Sequence, residues 1–313
     1  MPLLRTIWFY ATAYVLRIFD YVKIFWYQSK RSIDRSGVTI EYIRIPSRDQ
    51  GRSIRAIRYS PVGATGPLPV HLNWHASGWV LKRLGLDRHM CVKLAKDLQC
   101  IVLDCDYRKA PVHKFPAAHE DTEDAVLYAI ANPSLYDAKR LTVGGSSAGG
   151  NMALSISAHL GPERVKGCFA LYPAPNVCRI SEVDKVFKCT DPNYHSGIII
   201  PNELMAFFIE SYTNSDEDTE NPRLSPIRYP QEKFPKHVLI ACGSADSLFE
   251  SCRQMLDHLH DGVDEELRTT RSFLSIPQEA HEFNNFPDAS ASVEWRDEME
   301  EAAKALIRAS WSS

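Results

Sequence analysis

The chain has 313 residues, 44% of them hydrophobic, and a formal net charge of −3. That length suffices for one large domain with an ample core, and the charge balance speaks against nucleic acid or another polyanion as partner. The eight cysteines, at positions 91, 100, 105, 168, 178, 189, 242 and 252, form no Cys-x-x-Cys pair. A zinc ribbon or thioredoxin-like motif is therefore unsupported, and a reducing, cytoplasmic setting is the simplest reading.

Residues 1–27 are rich in aromatic and aliphatic side chains but are interrupted by Arg5, Arg17, Asp20 and Lys23. The longest uncharged stretch, Thr6 to Leu16, is 11 residues, short of the roughly 20 that a membrane span needs. No clean signal-peptide cleavage site precedes Lys30. The spacing of charges among apolar residues predicts an amphipathic helix. Two readings compete: a helix on a membrane interface, or a cap over an active site. The cap is favoured, because an apolar stripe most often buries against its own protein. Lys30-Arg31 and Arg52/Arg55/Arg58 read as solvated basic faces.

Val38–Ile45 and Ser53–Tyr59 alternate apolar and polar residues, as antiparallel strands do. After the Pro/Gly-rich turn 61–69, strands and helices alternate. The pattern predicts strand 69–74, helix 87–99, strand 100–105, helix 117–131, strand 140–144, helix 148–160 and strand 166–172. Such alternation implies a mostly parallel sheet flanked by crossover helices. Residues 174–235 break the rhythm with several prolines, an acidic run Asp216–Glu220 that reads as a solvated loop, and an apolar stretch Ile198–Ile209. The rhythm resumes with strand 237–242, helix 247–260, strand 268–276 and a last helix from about 290 to 310.

Within this scaffold, Gly145-Ser146-Ser147-Ala148-Gly149 falls between a strand and a helix. A Gly-x-Ser-x-Gly in that context is a nucleophile elbow, with the central serine raised on a strained turn. Asp246 follows strand 237–242, and a carboxylate there can orient an imidazole. His281 follows strand 268–276. The chain order Ser147, Asp246, His281 differs from that of chymotrypsin-like and subtilisin-like enzymes and is the order of α/β-hydrolases.

From about Val70 to Phe286 the sequence resembles the hormone-sensitive-lipase-like branch of the α/β-hydrolase fold, which includes bacterial carboxylesterases and arylacetamide deacetylase. Besides the elbow, the resemblance rests on Asp106-Tyr107-Arg108-Lys109-Ala110-Pro111 with Phe115-Pro116-Ala117-Ala118, similar to the family's Tyr-Arg-Leu-Ala-Pro…Phe-Pro-Ala stretch. It implies Ser147 as nucleophile, Asp246 as acid and His281 as base. The segment His75-Ala76-Ser77-Gly78-Trp79 lies where the family keeps His-Gly-Gly-Gly. Oxyanion donors are thus implied at the amides of Ser77, Gly78 and Ala148, with His75 supporting the loop. It also implies a helical cap formed by residues 1–35 and 174–235 on a single α/β-hydrolase domain spanning 1–313.

Two departures from the family stand out. Ala76 and Ser77 replace the first two glycines, which would strain the loop if either needed positive φ; alternatively, the Ser77 hydroxyl joins the oxyanion site. Ser146 replaces the aspartate of Gly-Asp-Ser-Ala-Gly, removing a carboxylate beside the nucleophile. An apolar cap suits an uncharged, hydrophobic ester, with Trp79, Phe207, Phe208, Phe9 and Tyr14 as candidate liners. No metal or organic cofactor is required, and a homodimer is compatible with the sequence. The expected function is a serine carboxylesterase for small to medium hydrophobic esters, such as a tailoring esterase of a biosynthetic pathway. The rivals are acyl transfer or elimination on the same scaffold, and a non-catalytic binder. Relatives of the last kind resemble gibberellin receptors, which have lost the histidine that stands here at 281.

Overall fold

A computed structural model describes residues 3–29, 33–189, 191, 193–287 and 290–312; Lys30 and Arg31 lie outside the described residues. Eight strands form one sheet in the order β1-β2-β4-β3-β5-β6-β7-β8. They are β1 (Val38–Pro46), β2 (Ser53–Pro61), β3 (Leu68–Trp74), β4 (Ile101–Cys105), β5 (Tyr136–Ser146), β6 (Gly167–Leu171), β7 (His237–Gly243) and β8 (Arg271–Ile276). β2 runs antiparallel to β1 and β4, and every other pairing is parallel. The parallel pairs arise because helices carry the chain back between strands. These helices include α2 (Arg88–Leu98), α3 (Ala117–Ala131), α4 (Ala148–Leu160), α7 (Phe249–His260) and α8 (Glu265–Thr270), and α9 (Ser290–Trp311) closes the chain. α3 packs with α4 and α2 with α9, giving two helical layers. Strands β4, β6 and β7 are buried along their whole length, which is why they read as unbroken apolar runs.

Two boundaries differ from the sequence reading. β5 begins at Tyr136, not 140, because its early residues stay paired with β3 across an irregularity at Pro69/Val70. Residues 268–270, expected to open a strand, instead end helix α8: the Asp264 carboxylate caps it by accepting from the Leu267 amide at 2.9 Å. The arginines read as a solvated face are paired, Arg52 with Asp121, Arg55 with Asp106 and Arg58 with Glu41. The acidic run 216–220 is a 3₁₀ turn in which Glu220 meets Arg228 at 2.8 Å.

Above the C-terminal edge of the sheet lies a roof made of α1 (Leu3–Ser29), α5 (Val183–Val186) and α6 (Asn202–Tyr212) with their connections. α1 rests on α6 by stacking Phe9 on Phe207, centroids 5.5 Å apart, and by an Arg5–Glu210 ion pair. The Arg17 guanidinium donates to the carbonyls of Val80 and Ala110 at 3.0 and 2.7 Å. Among the described residues, no helix is long and apolar enough to cross a membrane.

Candidate active site

β5 ends at Ser146 and α4 starts at Ala148, so Ser147 forms the whole turn between them. Its backbone sits at φ 54°, ψ −118°, a conformation that costs a non-glycine residue roughly 1–3 kcal/mol. Two bonds hold it there: its amide donates to Leu171 O, and its carbonyl accepts from the Asn151 amide, each at 2.8 Å. The glycines two places either side are required by close approach. A Cβ on Gly149 would lie 1.9 Å from the Trp74 carbonyl oxygen, and one on Gly145 would lie 2.6 Å from that same atom. β3 thus runs directly against the elbow, where only hydrogen fits.

The Ser147 hydroxyl lies 3.0 Å from His281 Nε2, and His281 Nδ1 lies 2.7 Å from Asp246 Oδ2. With Nδ1 protonated and donating to the carboxylate, Nε2 is free to accept the serine proton. Asp246, fully buried, also accepts from the Leu248 amide at 2.9 Å. Burial alone would lower the His281 pKa. The Asp246 carboxylate outweighs it, with help from Glu282, and holds the imidazole above its ordinary value. Two other buried histidines show what happens without a carboxylate: His71 and His119 are pushed down to about 3, mainly by desolvation.

The predicted oxyanion segment follows β3. Neither Ala76 nor Ser77 has positive φ, so the strain anticipated from losing those glycines does not arise. Gly78 does, at φ 54°, and a Cβ there would meet the Phe208 ring at 2.5 Å. The amides of Ser77 and Gly78 donate to no backbone acceptor among the described residues, and that of Ala148 opens α4, where helix N–H groups are unpaired. All three are therefore available to an anion.

Tyr107 settles the part played by the Ser77 hydroxyl. Tyr107 has one hydroxyl proton, and it goes to the His75 carbonyl at 2.7 Å, a group that can only accept. The Ser77 hydroxyl, 2.5 Å from the same phenol oxygen, must then be the donor of that contact. It is committed to Tyr107, and Ser77 offers the site only its amide. His75 is buried and stacks on Tyr107 with centroids 4.8 Å apart. Burial, with Lys109 nearby, depresses its pKa, so it supports the loop as a neutral ring. Beside the elbow, Asp87 supplies the carboxylate that Ser146 lacks: its oxygens face Ser146 Oγ at 3.5 Å, Asn73 Nδ2 at 3.1 Å and Asn285 Nδ2 at 3.2 Å.

Ser147 and His281 open on a cavity of about 90 Å³, walled among others by Trp79, Ile198, Ile200, Met205, Phe208 and Leu248. Trp79 and Phe208 therefore line it, but three other candidates do not. Phe207, one residue from Phe208, is turned about 100° around α6 and stacks on Phe9 instead. Phe9 is buried in that stack, and Tyr14 points outward, 66% exposed. Two further supports of the site leave no signal in the sequence. Ile198 and His281 exchange two backbone hydrogen bonds, at 2.8 and 3.1 Å, so the roof grips His281. Gly197 (φ 91°) makes room for this, since a Cβ would sit 2.5 Å from the His281 carbonyl. The second support is Arg83, buried between Asp20 of α1 and Glu282, the neighbour of His281. A buried-charge triplet drawn from residues so far apart in sequence leaves no local signal. Among the described residues, no three His, Cys, Asp or Glu side chains converge to hold a metal ion.

Comparison with known proteins places this geometry. The α/β hydrolase fold family matches residues 71–284. An α/β-hydrolase superfamily protein of Schizosaccharomyces pombe is 29% identical over 220 residues, covering 66% of this chain and 62% of that protein. The match thus spans about three-fifths of that relative's length. Versiconal hemiacetal acetate esterase of Dothistroma septosporum is 31% identical over 173 residues, 51% of this chain and 52% of the relative. The solved structure of a hyperthermophilic esterase from Pyrobaculum calidifontis superposes with a TM-score of 0.77 at 27% identity, covering 98% of this chain and 97% of that one.

Proposed function

The chain belongs to the α/β-hydrolase fold family, in its hormone-sensitive-lipase-like branch, and on that premise we propose that it is a carboxylic-ester hydrolase working through an acyl-enzyme on Ser147. The observation that carries this reading is the hydrogen-bonded line Ser147–His281–Asp246 at 3.0 and 2.7 Å. His281 Nε2 takes the Ser147 proton as Oγ adds to the ester carbonyl. The resulting oxyanion accepts from the amides of Ser77, Gly78 and Ala148, and the imidazolium is balanced by Asp246. His281 then returns the proton to the departing alkoxide as the C–O bond breaks. Water, deprotonated by the same nitrogen, releases the carboxylic acid and restores Ser147.

The small, apolar cavity favours short uncharged acyl groups over long chains. The acetate ester in the name of the Dothistroma relative fits that size. We place the enzyme in the cytoplasm, because its eight cysteines are all free thiols and seven are buried. Labelling with a fluorophosphonate and mass mapping of the adduct tests the proposal. Modification should fall on Ser147 and disappear in Ser147→Ala; an adduct on Ser146 or Ser155, or none, overturns it. Turnover of p-nitrophenyl esters should decline from short to long acyl chains.

A further inference from the structure

α1 has two halves of different character. Its inward half carries Phe9 and Ala13, both buried, and all the charges of the helix. Arg5 meets Glu210, Arg17 binds two loop carbonyls, Asp20 meets Arg83, and Lys23 lies 3.9 Å over the Phe286 ring. The outward half is apolar from end to end: Leu4 is 80% exposed, Trp8 53%, Tyr14 66%, Ile18 51%, Phe19 70% and Phe25 66%. At 3.6 residues per turn the exposed apolar positions of α1, from Leu4 to Trp26 and including Tyr10 and Tyr21, sweep about 180° of the helix along roughly 33 Å. No charged residue falls in that sector. Soluble surfaces do not leave such a patch uncovered without purpose.

Charge at the end of the helix indicates what covers it. Beside the C-terminal turns of α1 lies a cavity of about 420 Å³ with Ile24, Tyr27 and Phe286 on its walls, and Arg35, Arg88, His89 and Arg296 among its lining. Among the described residues no carboxylate lines it, although His89 and Arg296 pair outside it with Glu300 and Asp297. Arg88 Nε is buried without a hydrogen-bond partner, while its Nη2 donates to the Tyr42 hydroxyl at 3.2 Å. We propose that the outward half of α1 lies in the plane of an anionic bilayer surface, its aromatic and aliphatic residues in the headgroup–acyl boundary, with the basic cavity receiving a lipid phosphate. The helix is tied to the body along its length, so it lies flat and does not span. A second copy of the chain fits less well. Two packed helices cover only a stripe of each other, whereas a bilayer covers a half-cylinder. The inference stands independently of the esterase reading.

Flotation of the full chain with vesicles tests it. The protein should rise with phosphatidylcholine–phosphatidylserine vesicles and less with phosphatidylcholine alone. Phe19→Glu with Phe25→Glu, both fully outward, should weaken binding by about 10²-fold or more while turnover of a water-soluble ester stays unchanged. Arg35→Ser with Arg296→Ser should bring binding to mixed vesicles down to the level of phosphatidylcholine alone. No flotation with either vesicle, or equal flotation of the double glutamate variant, overturns the membrane face. Equal binding by the double serine variant overturns the role of the cavity. Light scattering that shows a dimer dissociated by the glutamates, without vesicle binding, assigns the face to self-association and overturns the proposal.

Discussion

The floor and the roof of the site are built on different principles. The floor consists of strand ends and the turns that leave them. Each chemical group there is fixed by backbone: the Ser147 turn by Leu171 and Asn151, Asp246 by the Leu248 amide, the elbow by glycines that β3 almost touches. Apart from the Ile198–His281 backbone pair, the roof is fixed by side chains: Phe9 on Phe207, Arg83 between Asp20 and Glu282, Phe208 over Gly78. Backbone restraint holds reacting atoms in place. Side-chain restraint can be altered one residue at a time, so the roof is where acyl preference can drift while the chemistry stays. Substitutions in the floor should therefore change rate constants, and those in the roof should change which ester is preferred.

The largest effects belong to the floor. Ser147→Ala and His281→Ala should each lower kcat by about 10⁶-fold, and Asp246→Asn by about 10⁴-fold, with the melting temperature of Ser147→Ala unchanged. Loss of stability in Ser147→Ala, or a residual rate near wild type, would show that the floor does not hold the reacting groups. The pH profile follows from the same geometry. Only neutral His281 accepts the proton, and its pKa is raised, so activity is full above that value and falls as pH drops through it. The acid limb of kcat/KM should sit above about 6.5, the ordinary histidine value. A limb below it means that Asp246 does not control the ring.

Gly78 is where the two layers meet. Gly78→Ala should cost about 10²-fold in kcat, as for loss of one oxyanion donor. Adding Phe208→Ala removes the ring that the new methyl would strike. Partial recovery in the double variant assigns the loss to the roof, and no recovery assigns it to the backbone angle of Gly78. Phe208→Ala alone should shift preference toward longer acyl chains, by about 10-fold for each methylene newly accommodated, with little change for acetate. The smallest effect is expected from Ser77→Gly: its hydroxyl is spent on Tyr107, so kcat should stay within a few-fold. A drop of about 10²-fold would show that the hydroxyl reaches the oxyanion.

The same division explains what could be read before the structure. The order of strands and helices, the elbow and the positions of Asp246 and His281 past their strands are local properties of chain direction and spacing, and they were legible. The roof was legible only as a break in rhythm. That Phe208 and not Phe207 faces the cavity depends on the rotation of α6, which one short apolar stretch does not determine. Tyr14 was read as a liner because apolar periodicity shows that a helix has faces, not which one meets the protein. The carboxylate missing at position 146 is returned by Asp87 from another part of the chain. The strain expected at Ala76 lies instead at Trp79, which has φ 58° and stacks on Tyr212 at 5.0 Å. No spacing rule reports either fact.

The paired amides of Ile198 and His281 carry a consequence for how the protein breathes. The two residues donate to each other's carbonyls, so neither bond survives if the roof segment around Ile198 lifts. Their hydrogens should exchange with solvent deuterium in one cooperative event and with equal protection. Any opening wide enough to separate Ile198 from His281 also releases the backbone that carries the imidazole. The widely open enzyme is then an unarmed one. On that reading a small ester, which leaves the Ile198–His281 bridge intact, should be turned over faster than a bulky one that must part it.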